Sequence, residues 1–402
     1  MDKRESEDFS VKRVCPVCGG GKNEAIQRIR MTLPENIPLP DQYDIVSCAR
    51  CGFCYADTSA AKEDYDVYYS SYNNYSEEKL SKSFEICMDR IQEMLEPRLD
   101  PMSRMVDIGF GNGSLLLRLR ELGYQNLVGL DPSQDTVEHG KALGIMAFQR
   151  SVYDDPGCLK ESFDVGFLTS VMEHLLHPKI GLQIARSYLR ENGYLIVVIP
   201  DYSMCDHVNF PIPNQFNQEH INYFSDISFS NLLYGTGLRV VDFQSVPLEE
   251  EGDLKSQEYA CLFLLQKCSP DSSAVVSKLE RDTKTKAHIE RYLSQRELQN
   301  QEMARKIEAL YTGKTPLVVW GTGAFTMSLL ASTVLGKCGI VAFADGNRLK
   351  AGTQVHGMPV IPPEEIRRYP DAAILICAMM HGREIKEKIA ELGLSNRVVT
   401  LI

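Results

Sequence analysis

Four cysteines, two histidines and a run of alternate glycines are the residues of this chain best placed to do chemistry. Cys15-Pro-Val-Cys18-Gly19 and Cys48-Ala-Arg-Cys51-Gly52 are two Cys-x-x-Cys-Gly knuckles. A turn of that length lets two thiolates reach one ion, and two such turns supply the four sulfurs of a zinc site. Cys51 with Cys54 is an alternative second pair by spacing. Cys48 with Cys51 is preferred, because only that pair repeats the glycine after the second ligand. Four thiolates leave no open coordination position, so such a zinc is structural. In Met105-Val-Asp-Ile-Gly-Phe-Gly-Asn-Gly113, glycines stand at 109, 111 and 113, with Asp107 ahead of them. Glycines so spaced after an apolar stretch make a tight turn whose backbone approaches a ligand closely. Leu127-Val-Gly-Leu-Asp131 then ends in a carboxylate placed to hydrogen-bond the two hydroxyls of a ribose.

The remaining candidates lie further along. Glu219-His220 sits in the polar loop 211–225, where adjacent Glu and His suit a general base and its positioning carboxylate. The same stretch could instead only cap the next helix. His174 closes Ser170-Val-Met-Glu-His174, which equally could be a helix start without chemistry. Tyr65, Tyr68, Tyr69, Tyr72 and Tyr75 crowd residues 55–76. They read either as a packing segment or as a lid whose phenols, Tyr69 and Tyr72 among them, reach cofactor or substrate.

The elements that must position these residues follow from periodicity. Apolar Met105, Val106 and Ile108 predict a buried parallel strand, and Ser114–Arg120 the helix opening at the glycine turn. Residues 76–99 have helical spacing closed by Pro97 and Pro101. Strands are predicted at Tyr43–Ser47, Met146–Phe148, Phe163–Thr169 and Asn192–Pro200, the last entered through an Asn-Gly turn, and helices at Pro132–Leu143 and Asp226–Leu233. In an open α/β sheet ligands lie at the carboxyl ends of the strands, which puts Ser170 to His174 beside the cofactor. From Pro316 the opening pattern repeats: Leu317-Val-Val-Trp-Gly-Thr-Gly323, a helix over 324–335, and a strand ending in Asp345. That Asp stands 24 residues after Gly321, against 22 between Gly109 and Asp131.

The motif V-D-I-G-x-G-x-G, followed by G-L-D-P-S, resembles the cofactor-binding half of class I S-adenosylmethionine-dependent methyltransferases. The spacing is G-x-G-x-G, not the dinucleotide G-x-G-x-x-G, and a carboxylate before the first glycine suits a cationic ligand. The resemblance implies that S-adenosylmethionine binds through Asp107, Gly109, Gly111, Gly113, Asp131, Pro132 and Ser170. The cysteine-rich start, this core, the Glu-His-x-x-x-Phe-Ser loop and the second Rossmann-like part together resemble the sugar C-methyltransferases of deoxysugar biosynthesis. That likeness implies catalytic roles for His220, Glu219 and His174, and a nucleotide-linked sugar as the small-molecule substrate. The chain departs from the family at Asn217, where a Tyr is expected. It departs again at Glu250–Gln257, which replaces a Gly-Gly-Ser/Glu-x-Arg stretch.

Composition sets the bounds. The chain has 402 residues, 44% apolar and 24% charged, and a net charge of −11. A nucleic-acid partner calls for a basic face, so none is expected. No apolar run approaches the roughly 20 residues that span a bilayer, and no secretory signal is expected at the start. Twelve cysteines without such a signal favour free thiols and metal ligation, and a cytoplasmic setting. The expected class is α/β: a Rossmann-like methyltransferase core with a small zinc module and a second Rossmann-like domain. The expected boundaries are 1–75, 76–268, a helical linker 269–314 that could form a dimer surface through 270–311, and 315–402.

Overall fold

The computed structural model describes residues 11–33, 37–71, 82–208, 215–249, 257–268, 279–347, 350–378 and 381–401. Tyr72, Tyr75, residues 211–214, 250–256 and 270–278 lie outside these, so the candidates among them have no structural account.

Three sheets carry the chain. The first joins β1 (Asn23–Arg30), β2 (Gln42–Cys48) and β3 (Cys54–Asp57) in antiparallel order, and its fourth strand is the two-residue β9 (Asn222–Tyr223). Helices α1 (Lys62–Ser71) and α2 (Lys82–Leu95) follow β3.

The second sheet is the predicted core. β4 (Arg104–Ile108), β5 (Asn126–Asp131), β6 (Met146–Gln149), β7 (Phe163–Thr169) and β8 (Leu189–Pro200) pair in parallel. β10 (Leu238–Glu249) and β11 (Gln257–Lys267) add an antiparallel edge, giving the spatial order β6-β5-β4-β7-β8-β11-β10. The order reverses at β4, so the crevice at its carboxyl end is where a ligand fits. Helices α3 (Ser114–Glu121), α4 (Gln134–Ala142), α5 (Pro178–Tyr188) and α6 (Asp226–Leu232) cover the strands. β8 starts earlier than the Asn-Gly pair predicts. Asn192 sits at φ 64°, and the pairing with β7 shifts register between Phe163 and Val165, so the pair makes a bulge inside a longer strand.

The third sheet holds β12 (Leu317–Trp320), β13 (Ile340–Ala344), β14 (Gln354–Val355), β15 (Met358–Ile361), β16 (Ala373–Ile376) and β17 (Val398–Thr400) in the order β14-β15-β13-β12-β16-β17. Before it comes the helix α7 (Thr285–Thr312), and on it lie α8 (Ala324–Ser332) and α9 (Gly382–Glu391). α8 stops three residues short of the predicted end, where Thr333 caps a separate short turn.

The expected linker is more than a connection. Ile289, Tyr292, Met303, Ile307 and Leu310 of α7 are buried in one core cluster with Tyr223 of the first sheet and Leu317 of the third. That face is consumed inside the chain, and Leu298, 74% exposed, is left outside. Among the described residues no helix is long and apolar enough to cross a membrane.

The approach to α7 depends on one glycine. Asp282 Oδ1 accepts from the Lys284 and Thr285 amides at the helix start, and Asp282 N donates to Cys51 O at 2.9 Å. Gly52 lies against this segment at φ +77°, and a Cβ there would fall 1.9 Å from Asp282 O. Gly235 has φ +70° with nothing within 4 Å. Gly235→Ala should therefore cost only the left-handed backbone penalty, about 1–2 kcal/mol. Gly52→Ala adds a backbone clash and should cost at least about 3 kcal/mol in urea unfolding.

Candidate functional site

The glycine turn between β4 and α3 is built around two carboxylates. Gly109 N and Phe110 N donate to Leu130 O at 2.7 and 3.2 Å, which folds the turn over the end of β5. Asp131 accepts from Gly111 N at 3.3 Å and from Ser133 N at 2.9 Å. Burial pushes its pKa up to about 6 against the pull of those two amides. Asp107 is buried with its Oδ1 unpartnered, and burial, then Asp131, push its pKa up to about 8. Gly109 has φ +81°, and an added Cβ would meet Val171 Cγ2 at 2.7 Å.

Gly109, Gly111, Asp131, Pro132 and Ser170 line one cavity. Neither Asp107 nor Gly113 does; the bare Cα of Gly113 makes room for Ile145 Cδ1, 2.6 Å from where a Cβ would stand. Helix α1 forms the opposite wall through Lys62, Tyr65, Asp66 and Tyr69. Spaced by three and four residues, Tyr65, Tyr68 and Tyr69 share a helix face.

Beyond Ser170 a second cavity opens, of about 370 Å³, lined by Glu173, Asp201, Tyr202, His220 and Glu258 above apolar residues of α2. The two histidines meet near this junction, their ring centroids 5.0 Å apart. His174 Nδ1 lies 3.1 Å from Glu219 O and 3.1 Å from Tyr69 Oη. A carbonyl only accepts, so the network assigns the proton to Nδ1 and the lone pair to Nε2. Tyr202 donates its one proton to Gln215 O at 2.8 Å, so at 3.2 Å it accepts from His220 Nδ1. His220 thus also presents a bare Nε2. Burial lowers the pKa of His174 to about 4, and burial, then His174, lower that of His220 to about 3. An ordinary imidazole titrates near 6.5, and neither histidine keeps that value because a buried cation is too costly in an apolar setting.

The loop itself is clamped from several sides. Asn217 Oδ1 accepts from the amides of Glu219 and His220, both at 2.8 Å. Tyr68 donates to Glu219 Oε1 at 2.6 Å, and Tyr65 to Gln218 O at 3.1 Å. The same stretch does cap α6, through a reciprocal Ser225–Ser228 capping box, but His220 has no part in it. Capping and site construction are divided between its two ends. The sequence places Tyr68 only among the tyrosines of the candidate lid, without singling it out, and does not mark Tyr202 at all. The tyrosine spacing points to the first, and no local signal marks the second.

Cys15, Cys18, Cys48 and Cys51 bring their sulfurs within 4.8 Å of one another. The Cys15–Cys51 and Cys18–Cys48 separations are 3.6 and 3.5 Å. Cys54 points away, with its Sγ 3.6 Å from Gly52 O. The set has the number and type of donors for one tetrahedral metal. Two residues upstream, Arg13 reaches Ile221 O at 3.2 Å, Leu176 O at 2.7 Å and Asn222 Oδ1 at 2.9 Å. The cysteine knuckle is thereby tied to the loops that carry His174 and His220.

The second glycine turn opens a further cleft, lined by Trp320, Gly321, Thr322, Asp345, Lys388 and, from the histidine loop, Asn217. Asp345 accepts from Thr322 N at 3.1 Å and Asn347 N at 2.9 Å, and pairs with Lys350 at 3.3 Å.

Residues 80–242 match the family described as "Methyltransferase domain", and residues 313–400 match one described as "C2185-like, N-terminal". No curated protein matches the chain. Among solved structures the chain is similar to the [4+2]-cyclase SpnF, at 13% identity, covering 50% of this chain and 86% of that one, TM-score 0.38. It is also similar to a putative methyltransferase from Bacillus halodurans, at 12% identity over 45% and 99% of the two chains, TM-score 0.37. A methyltransferase from Methanosarcina mazei gives 14% identity over 44% and 97%, TM-score 0.36. The family match lies over the glycine turn and its two carboxylates, so residues 80–242 carry a methyltransferase domain.

Asp107 gives a test that needs no substrate. Its folded pKa, about 8, lies above the unfolded value. The folded form therefore holds the proton more tightly, and stability is lost as pH rises from about 4 to about 8. In ligand-free protein Asp107→Asn should match the parent at pH 4. At pH 8 it should exceed the parent by at least about 2 kcal/mol in chemical unfolding.

Proposed function

We propose that the enzyme transfers the methyl group of S-adenosylmethionine to a nucleotide-linked or related sugar, with His220 as general base. The observation that carries this reading is the shared wall between two cavities. Ser170 lines both the cavity at the glycine turn and the one holding Glu173 and His220. A cofactor in the first and an acceptor in the second would meet at that wall.

The residues present fit the cofactor. Asp131 keeps lone pairs for ribose hydroxyls after accepting its two amides. The unpartnered, buried Asp107 oxygen is a place where a cationic amino group would relieve a desolvated carboxylate. When bound, S-adenosylmethionine supplies an electrophilic methyl on a sulfonium. The chain's own part is to position the acceptor and take its proton. His220 Nε2, held bare by Tyr202, accepts a proton from a hydroxyl for oxygen methylation. For carbon methylation it accepts one from the carbon next to a ketone. Glu219, fixed by Tyr68, holds the loop or a sugar hydroxyl. The cleft at Gly321 shares Asn217 with the histidine loop, and it supports an extended substrate whose nucleotide lies there while its sugar enters the second cavity. In this reading the expected boundaries hold except that residues 222–223 close the first sheet, and one structural zinc sits on Cys15, Cys18, Cys48 and Cys51.

Turnover of S-adenosylmethionine against a panel of nucleoside diphosphate sugars tests the function. No turnover with any sugar, alongside turnover of another metabolite, would overturn the substrate class. His220→Asn should lose about 10²–10⁴-fold in rate with cofactor affinity within a factor of a few. Asp131→Ala should weaken cofactor binding at least tenfold, about 1.4 kcal/mol, by calorimetry. Metal analysis should return one zinc per chain, retained in Cys54→Ser and lost in Cys48→Ser.

A further inference from the structure

A base that titrates near 3 takes a proton from a hydroxyl or a carbon only if something disposes of that proton at once. One group beside His220 is built to do so. Glu173 sits on the short turn Met172–His174, is 1% exposed, and lines the acceptor cavity together with His220. Its Oε2 is buried with no hydrogen-bond partner. Its Oε1 lies 4.0 Å from His174 Nε2, and one donor atom each of Glu173, His174 and His220 fall within 4.8 Å of one another. The tautomers point both bare Nε2 atoms away from their Nδ1 anchors on Glu219 and Tyr202.

We propose that Glu173 is the terminal proton acceptor of the reaction, receiving from His220 the proton that the methyl acceptor gives up. The proposal rests on His220 as base. The acceptor's O–H or C–H bond breaks, and its electron pair forms the bond to the methyl carbon. The S–CH₃ bond breaks with its pair retained on sulfur. The proton moves from His220 Nε2 to the Glu173 carboxylate and leaves later to solvent, so the imidazole is neutral again.

Besides Glu173, the titratable groups lining this cavity are His220, Cys87 on α2, Asp201, Tyr202 and Cys205 after β8, and Glu258 and Tyr259 on β11; His174 faces Glu173 from the neighbouring cavity. Among the described residues none lining it is a lysine or arginine, so no cation holds Glu173 ionised. Burial pushes its pKa up to about 8. A carboxylate with that affinity for protons outcompetes both histidines, and it sits near the range favoured for general bases. The acid form is inactive as an acceptor, so turnover should rise with pH through about 8.

Gln is the neutral isostere of the resting acid, so Glu173→Gln should fold as the parent does at neutral pH. The first measurement needs no acceptor. In the infrared difference between parent and Glu173→Gln, a protonated-carboxyl band should be present near pH 6 and vanish with a midpoint near 8. A carboxyl already ionised at about pH 6, or still protonated at about pH 10, would overturn the proposal. The second uses S-adenosylmethionine and a nucleoside diphosphate 4-keto-6-deoxyhexose as acceptor probe. Glu173→Gln should lose about 10²-fold in turnover and the rising limb of the pH profile, with cofactor affinity unchanged. If His220→Asn loses turnover but Glu173→Gln keeps the limb, this proposal fails and the base assignment stands. If His220→Asn keeps its turnover, the base assignment itself fails. A parent activity that depends on added divalent metal, lost together with Glu173, would make the cluster a metal site and overturn the proton role.

Discussion

One fully buried carboxamide holds the site together. Asn222, on the two-residue strand β9, donates to Met172 O at 3.0 Å and Leu175 O at 2.7 Å, and accepts from Arg13 at 2.9 Å. Its 0% exposure means that none of these groups can turn to water instead. Losing one partner of such a set costs the desolvation of what is left, about 1–3 kcal/mol each. The turn bearing Glu173 and His174, the loop bearing His220 and the peptide leading into the cysteine knuckle are all fastened to this amide. Backbone pairing repeats the arrangement: Asn222 and Tyr223 pair with Tyr55 and Cys54 at the sheet edge.

Much of this architecture can be read from the chain, and what cannot has a common cause. The β4–glycine–α3 unit is legible because a strand, a turn and a helix declare themselves within the eighteen residues Arg104–Glu121, and the carboxylates 107 and 131 follow by register. The repeat at Leu317–Asp345 is legible for the same reason. Cysteine pairing is settled only in three dimensions. Cys48 and Cys54 stand at opposite ends of one hairpin connection, and its fold turns Cys48 inward to the cluster and Cys54 onto the core. The tyrosines show the limit. Tyr68 and Tyr69 reach partners 151 and 105 residues away, and the role of Tyr202 emerges only after its hydroxyl proton is assigned to Gln215. Titration behaviour is less legible still. Ordinary pKa values hold in water, and at Asp107, Glu173, His174 and His220 burial is the first cause of each shift.

The pattern of those shifts describes the ground state of the site. Both carboxyls and both imidazoles are driven towards their neutral forms, so the resting cavity avoids isolated charge where it would be most costly. On the proposed reading the site keeps its charges latent until they are used, Asp107 for a cationic amino group and Glu173 for the departing proton.

The first sheet closes with residues 222 and 223, contributed from the far side of the methyltransferase core. The strand order therefore refuses a simple modular cut. A graft of residues 11–60 onto another scaffold would carry an open edge at β3, a template for pairing with other chains. The same excision would leave the histidine loop without Arg13. Anyone recombining parts of this enzyme to change its acceptor would have to move the knuckles, the tyrosine helix and the 215–225 loop as one piece.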